Sequence, residues 1–278
     1  MSNGTTLVLG ATGKTGRRIV PRLRLRGVPV RAASRSSATP FDWNDPTGWD
    51  AALAGVDAAY VVAPTTPGPV HDFVARAEAA GVQRLVLLSG RGADDWGGSG
   101  FGDDMRDAED AVRASSLEWT VLRPTNFFQN FDEEAHHAPV VAGDLALPAG
   151  TLTDPMVDID DVADVAATVL TEPGKHGGLT HELTAPRKLT YREAVDIIAR
   201  ATGRTITYTE VSPAAYAASL VEQGFDEELA RVITTMYALI EGGTLAGTTD
   251  GVQTVLGREP RAFEDYVARI AATGAWNG

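Results

Sequence analysis

The 278-residue chain is long for one domain and short for two full ones, which points to a core domain with a smaller appendage. It contains no cysteine, so disulfides, thiolate metal sites and a cysteine nucleophile are excluded. The formal charge of −13 is unevenly spread: residues 1 to 41 carry eight Lys and Arg and no acid, which leaves −21 on the remainder. An acidic body argues against nucleic acid and anionic membrane as partners, whereas a basic N-terminal segment suits a small phosphorylated ligand. The start MSNGTT lacks a basic stretch followed by an apolar one, and no run of 18 apolar residues occurs, so the expected location is cytoplasmic.

In chain order, the apolar runs TTLVLG, VPVRAAS, AAYVVAP, RLVLLSG and WTVLRP alternate with amphipathic stretches such as 69–80 and 103–115. This alternation predicts an α/β fold, a doubly wound parallel sheet covered on both faces. From residue 131 the pattern changes to Gly- and Pro-rich loops and helices near 160–171, 190–202, 212–223, 226–241 and 262–273, with HELTA returning to the sheet. The expected division is a Rossmann domain over 1–130 and 156–185, with a smaller, mainly helical substrate domain over 131–155 and 186–278.

The run LVLGATGKTGRR carries the first chemistry. A strand ends at Gly10, GATGKTG turns and a helix follows, so Gly10 allows the tight turn, Gly13 lets backbone N–H groups approach a pyrophosphate, and Gly16 lets helix pack on strand. An NAD site would place an acid about 20 residues further on. VRAASRSS offers Ser34 and Arg35 there instead. Arg35 can pair with a 2′-phosphate, helped by Lys14 or Arg17, so NADPH is favoured over NADH. The alternative for Arg17 to Arg26 is an ordinary solvated helix face. Asp42 in FDWND either accepts from an adenine amino group or starts a turn.

The motifs GATGKTG, the arginine after the second strand, FDW, AALAGVDAAYVVAP, RLVLLSG, LEWTVLRPTNFFQNF and VDIDDVADVAATVL resemble the NmrA-like group of atypical short-chain dehydrogenases/reductases, and LGREPRAFEDYV does so more loosely. The resemblance implies a dinucleotide-binding fold. Its members include NAD(P)H-dependent quinone, dye and phenylpropanoid reductases, and also redox-sensing regulators. Thr12, Thr15, Trp43, Ala63 and Pro64 complete the expected cofactor set, with Pro124 meeting the carboxamide. In the wider superfamily a Tyr-x-x-x-Lys pair supplies the proton; counted back from Glu109, those positions are Phe101 and Met105. The superfamily serine falls on Ser89 or, shifted by one, Gly90, where it touches the nicotinamide ribose or serves only structure.

Loss of the phenol narrows the substrate. Ketone reduction makes an alkoxide whose conjugate acid is about as weak as water, roughly 15.7, while quinone reduction makes a phenolate of pKa about 10. The difference is worth about 8 kcal/mol, so a quinone reductase can leave protonation to water. Phe101 and Met105 would form an apolar wall for a flat ring or belong to a helix core. Asn126, Phe127 and Phe128 are the other candidates for the substrate wall, the two phenylalanines otherwise anchoring the next helix. Asp103 and Asp104 offer a proton relay or are helix-dipole partners. Adjacent His136 and His137 cannot chelate one metal without a further ligand, and no metal is expected. Asp160 and Asp161 read as a helix start.

The expected function is NADPH-dependent reduction of a quinone or similar electrophilic polyaromatic, with one variant in which the hydroquinone reacts with oxygen to give net hydroxylation. The rival is a non-catalytic NADP(H) sensor acting through a protein partner.

Overall fold

The structure, a computed structural model, describes residues 4–96, 101–243 and 247–278; residues 1–3, at the start of the MSNGTT run, lie outside it. Seven strands form the main sheet: β1 (Thr5–Leu9), β2 (Val30–Ser34), β3 (Thr39–Pro40), β4 (Val56–Val62), β5 (Arg84–Leu88), β6 (Glu118–Pro124) and, later in the chain, a strand over Leu179–Leu183. Each neighbouring pair is parallel, and the spatial order runs β3, β2, β1, β4, β5, β6, then Leu179–Leu183. The HELTA segment therefore does return to the sheet.

Helices cover both faces because the strands are apolar on both. On one side lie α2 (Trp49–Leu53), α3 (Pro69–Ala79) and α4 (Asp103–Arg113), with Phe41, Trp49, Phe73 and Val112 in the core beneath them. On the other lie α1 (Gly16–Leu25) and a helix over Ile159–Thr171, joined by Ile19, Leu23, Val162 and Val169. Asp158 caps the latter helix by accepting from the Asp160 N–H, so the DIDD run is a helix start as read.

After β6 come α5 (His137–Ala142), β7 (Asp144–Leu147) and β8 (Thr153–Asp154), then the helix over Ile159–Thr171 as α6 and the seventh sheet strand as β9. Next are β10 (Leu189–Thr190), α7 (Tyr191–Thr202), β11 (Thr207–Glu210), α8 (Pro213–Glu222), α9 (Glu227–Glu241), α10 (Gly251–Leu256) and α11 (Phe263–Ala271). A separate core of Phe131, Leu145, Tyr191, Ile198, Tyr237, Phe263 and Trp276 holds this part together. It is not purely helical: β7 pairs with β11 in parallel and β8 with β10 antiparallel, both too short to stand out in the sequence. Helix α10 departs from the expected division, because its Val252 packs in the core under α6 and the main sheet.

The basic N-terminal segment also differs from expectation. Arg18 and Arg22 are half-buried and bind Glu133, Asp160 and Asp164; Arg17 binds Glu133 and Lys14 binds Glu134 at 3.0 Å. Arg258 and Arg261 meet Asp161 and Asp164 from the other side. The charge of this segment is thus used to dock α1 on α6 and on the segment before α5. Lys14 and Arg17 are therefore not free cations for a phosphate, whereas Arg24, Arg26 and Arg35 of the same segment stay exposed.

Candidate active site

The strand order reverses at β1, between β2 and β4, and ligands of open α/β sheets bind at the carboxyl ends of strands at such a switch point. The loop after β1 is built for close approach. Gly10 has φ +61°, and a Cβ at Gly16 would stand 2.2 Å from the Gly10 carbonyl oxygen, so only glycine fits there. Helix α1 has no side-chain cap and no acid in its first turn. Among the described residues, the N–H groups of Thr12, Lys14, Thr15 and Gly16 make no hydrogen bond, which leaves an N-terminal nest for an anion.

A cleft of about 410 Å³ continues from this loop, lined by Gly10, Thr12, Gly13, Ser34, Arg35, Asp42, Trp43, Ala63 and Pro64. Trp43 is fixed by donating Nε1–H to the Val62 carbonyl at 3.2 Å and by edge contacts with Phe41, Trp49 and Phe73. Arg35 is exposed at the cleft and makes no ion pair among the described residues. Asp42 Oδ1 accepts from the Asn44 N–H at 2.9 Å, so it does initiate a turn while also lining the cleft. Thr15 and Gly16 are buried behind the loop and do not line it. The unsatisfied amides, the glycine cradle and the unpaired Arg35 fit a dinucleotide with a 2′-phosphate.

Beyond the ends of β5 and β6 a second cavity of about 210 Å³ opens, lined by Ser89, Gly90, Phe101, Met105, Pro124, Asn126 and Phe127. Its far wall is Met236, Leu239 and Ile240 of α9, which sequence reasoning missed because a helical apolar stripe does not say which surface it faces. Trp96 and Asn130 also line it. Gly90 leaves room for the Trp96 ring, since a Cβ there would lie 2.7 Å from it.

Several expected site residues are placed elsewhere. Phe128 is only 1% exposed and packs on Phe263 and Tyr266 in the second core, so it is not part of the wall; the chain passes from extended at Phe127 into a short 3-10 turn that begins at Phe128. Asp103 and Asp104 sit in the first turn of α4 and do not line the cavity, although burial raises the Asp104 carboxyl. His136 packs between Phe131 and Tyr191, its burial lowering it to about 4, while His137 Nε2 hydrogen-bonds the Ala275 carbonyl oxygen. Among the described residues no group of three metal-ligating side chains occurs.

Ser89 donates its hydroxyl to Glu109 Oε1 at 2.5 Å, and Glu109, 2% exposed, also receives Arg123 through Nε at 2.8 Å and Nη2 at 2.7 Å. Arg123 forks onward to Asp94. The serine hydroxyl is therefore committed as a donor and can only accept from a ligand. The Thr125 hydroxyl is likewise given to the Pro155 carbonyl at 2.9 Å.

Fold and loop together define a dinucleotide-binding protein of the Rossmann type. A family model described as NAD(P)H-binding matches residues 10–173. The NAD(P)H azoreductase of Xenophilus azovorans is 30% identical, over 97% of this chain and 99% of that one. The quinone oxidoreductase QOR2 of Escherichia coli in complex with NADPH superposes with a TM-score of 0.82 at 23% identity, covering 95% of this chain and 99% of its own. Citrobacter triphenylmethane reductase complexed with NADP(H) gives 0.77 at 23%, covering 96% and 99%. The chain belongs to the NAD(P)H-binding family, and its cofactor is NAD(P)H. No helix among the described residues is long and apolar enough to cross a membrane.

Proposed function

We propose that the protein is an NADPH-dependent reductase whose acceptor is a quinone or a similarly electrophilic polyaromatic, bound between Phe101, Met105 and Phe127 on one side and α9 on the other. The observation that carries this reading is the lining of the second cavity, which is mostly apolar and, among the described residues, holds no phenol, imidazole, carboxyl or amine. Arg91, the ionised side chain among its described lining residues, is engaged by Glu182 at 3.0 Å. When bound, the reduced nicotinamide supplies a hydride. The chain's own residues hold the acceptor flat and dry, and orientation of this kind accounts for several kcal/mol of barrier. Asn130, whose side-chain amide makes no hydrogen bond among the described residues, is the donor available to an acceptor oxygen. A phenolate product of pKa about 10 needs no enzymic acid. A polycyclic hydroquinone released to air would be open to oxygen, the route to net hydroxylation. The azoreductase and the dye and quinone reductases similar to this chain support a reductase of aromatic substrates.

Restoring the missing pair tests the proton argument. Phe101→Tyr with Met105→Lys is expected to leave quinone turnover unchanged or lower it, because polar groups enter an apolar wall. A large gain would mean that proton delivery limits the reaction. Specificity for the phosphorylated cofactor rests on Arg35. Arg35→Ala is expected to weaken NADPH by about 1.5–3 kcal/mol, as for a hydrogen-bonded charge, and to leave NADH nearly unchanged in parallel titrations. Equal losses for both nucleotides would make Arg35 structural.

A further inference from the structure

Asp154, at the end of β8, is fully buried immediately behind the second cavity. Its Oδ2 accepts from the Asn126 side-chain Nδ2 at 2.6 Å and from the Tyr191 hydroxyl at 3.4 Å, while its Oδ1 has no partner among the described residues. Asn126 lines the cavity, so its amide joins the buried carboxyl to the substrate space. A carboxylate can only accept. It therefore takes the NH2 end of the amide and leaves Asn126 Oδ1 as the end not engaged.

We propose that Asp154 is a positioning residue that fixes the Asn126 amide so that the cavity presents a hydrogen-bond acceptor, and that the site selects aromatic acceptors bearing a ring hydroxyl or N–H. The inference rests on the reading of this cavity as the substrate site. A bare quinone offers only acceptor oxygens and gains nothing from Asn126, whereas a hydroxylated ring donates to it and is held in one orientation.

The same geometry makes the selection depend on pH. Burial pushes the Asp154 carboxyl up to about 6, against the hydrogen bonds from Asn126 and Tyr191 and the positive charge of Arg91. The groups facing it are Tyr191 of α7, Tyr237 of α9 and Arg91 after β5; burial raises both phenols, so they stay neutral, and Arg91 stays paired with Glu182. Protonated Asp154 can donate as well as accept. The amide is then free to turn, and its NH2 end can face the cavity.

The test is binding of 1-naphthol, which donates, against 1-methoxynaphthalene, which only accepts, to the NADP⁺-loaded protein between pH 5 and 8. Both probes are neutral over this range, since an unperturbed phenol titrates near about 10. At pH 8 the naphthol is expected to be preferred by about five- to tenfold, the value of one net hydrogen bond, and the preference is expected to disappear on acidification through about pH 6. Asp154→Asn, whose amide donates and accepts like the protonated acid, is expected to lack the preference at every pH. Should that variant not fold, the wild-type titration alone decides. Binding of both probes with no pH-dependent difference overturns the inference and leaves the cavity's role standing. Failure of both probes to bind at any pH overturns both.

Discussion

Phe128→Ala is expected to destabilise the protein by about 3–5 kcal/mol, the usual cost of emptying a buried phenylalanine site. The ring is 1% exposed, 5.0 Å from Phe263 and 5.4 Å from Tyr266 between centroids, so its removal opens a hole where α11 meets the segment after β6. Its neighbour should behave in the opposite way. Phe127 lines the cavity and is partly exposed, so Phe127→Ala is expected to depress turnover with little loss of stability and little change in NADPH binding. Urea midpoints and steady-state kinetics on the two variants separate these effects. A Phe128→Ala protein with wild-type stability and impaired turnover would return Phe128 to the substrate wall.

Glu109→Ala is the second large effect, again expected at about 3–5 kcal/mol, because it strands a buried arginine and a buried hydroxyl. Glu109 and Arg123 side chains are 3% and 6% exposed, and Asp94, the remaining partner of Arg123, is largely in solvent. Glu109→Gln keeps an acceptor for Ser89 and should cost less. Since Ser89 of this cluster and Pro124, next to Arg123, both line the cavity, the Ala variant should also bind aromatic acceptors more weakly. Equilibrium unfolding gives the first quantity and inhibitor titration the second. A near-neutral Glu109→Ala would show that Asp94 alone satisfies Arg123.

What could be read from the sequence was local. The glycine loop, the five apolar runs and the return strand each announce themselves within a few residues, and these are the parts that place the cofactor cleft. The pairing of the basic segment was not readable, because Arg18 meets Glu133 and Arg22 meets Asp160 across more than a hundred residues. The same charge pattern suits a phosphate or a docking face until both partners are seen. The Phe127–Phe128 pair was ambiguous for a related reason: its type is clear and its direction is set by the chain path. Trp96, Asn130 and the α9 residues entered the cavity unannounced. Asp154 carried only one signal, a lone acid before a proline in TLTDPMV, which also fits a turn.

The most direct test of the reductase reading is rapid mixing of the NADPH-loaded protein with a panel of quinones, under air and under nitrogen, following the nicotinamide absorbance. The expected result is oxidation of bound NADPH well above the protein-free rate. Deuterium at the transferred position should slow that step, and the pH profile should lack the bell shape of an essential acid and base. Tight NADPH binding with no oxidation by any reactive quinone above the protein-free rate would contradict the account and leave a nucleotide sensor in its place.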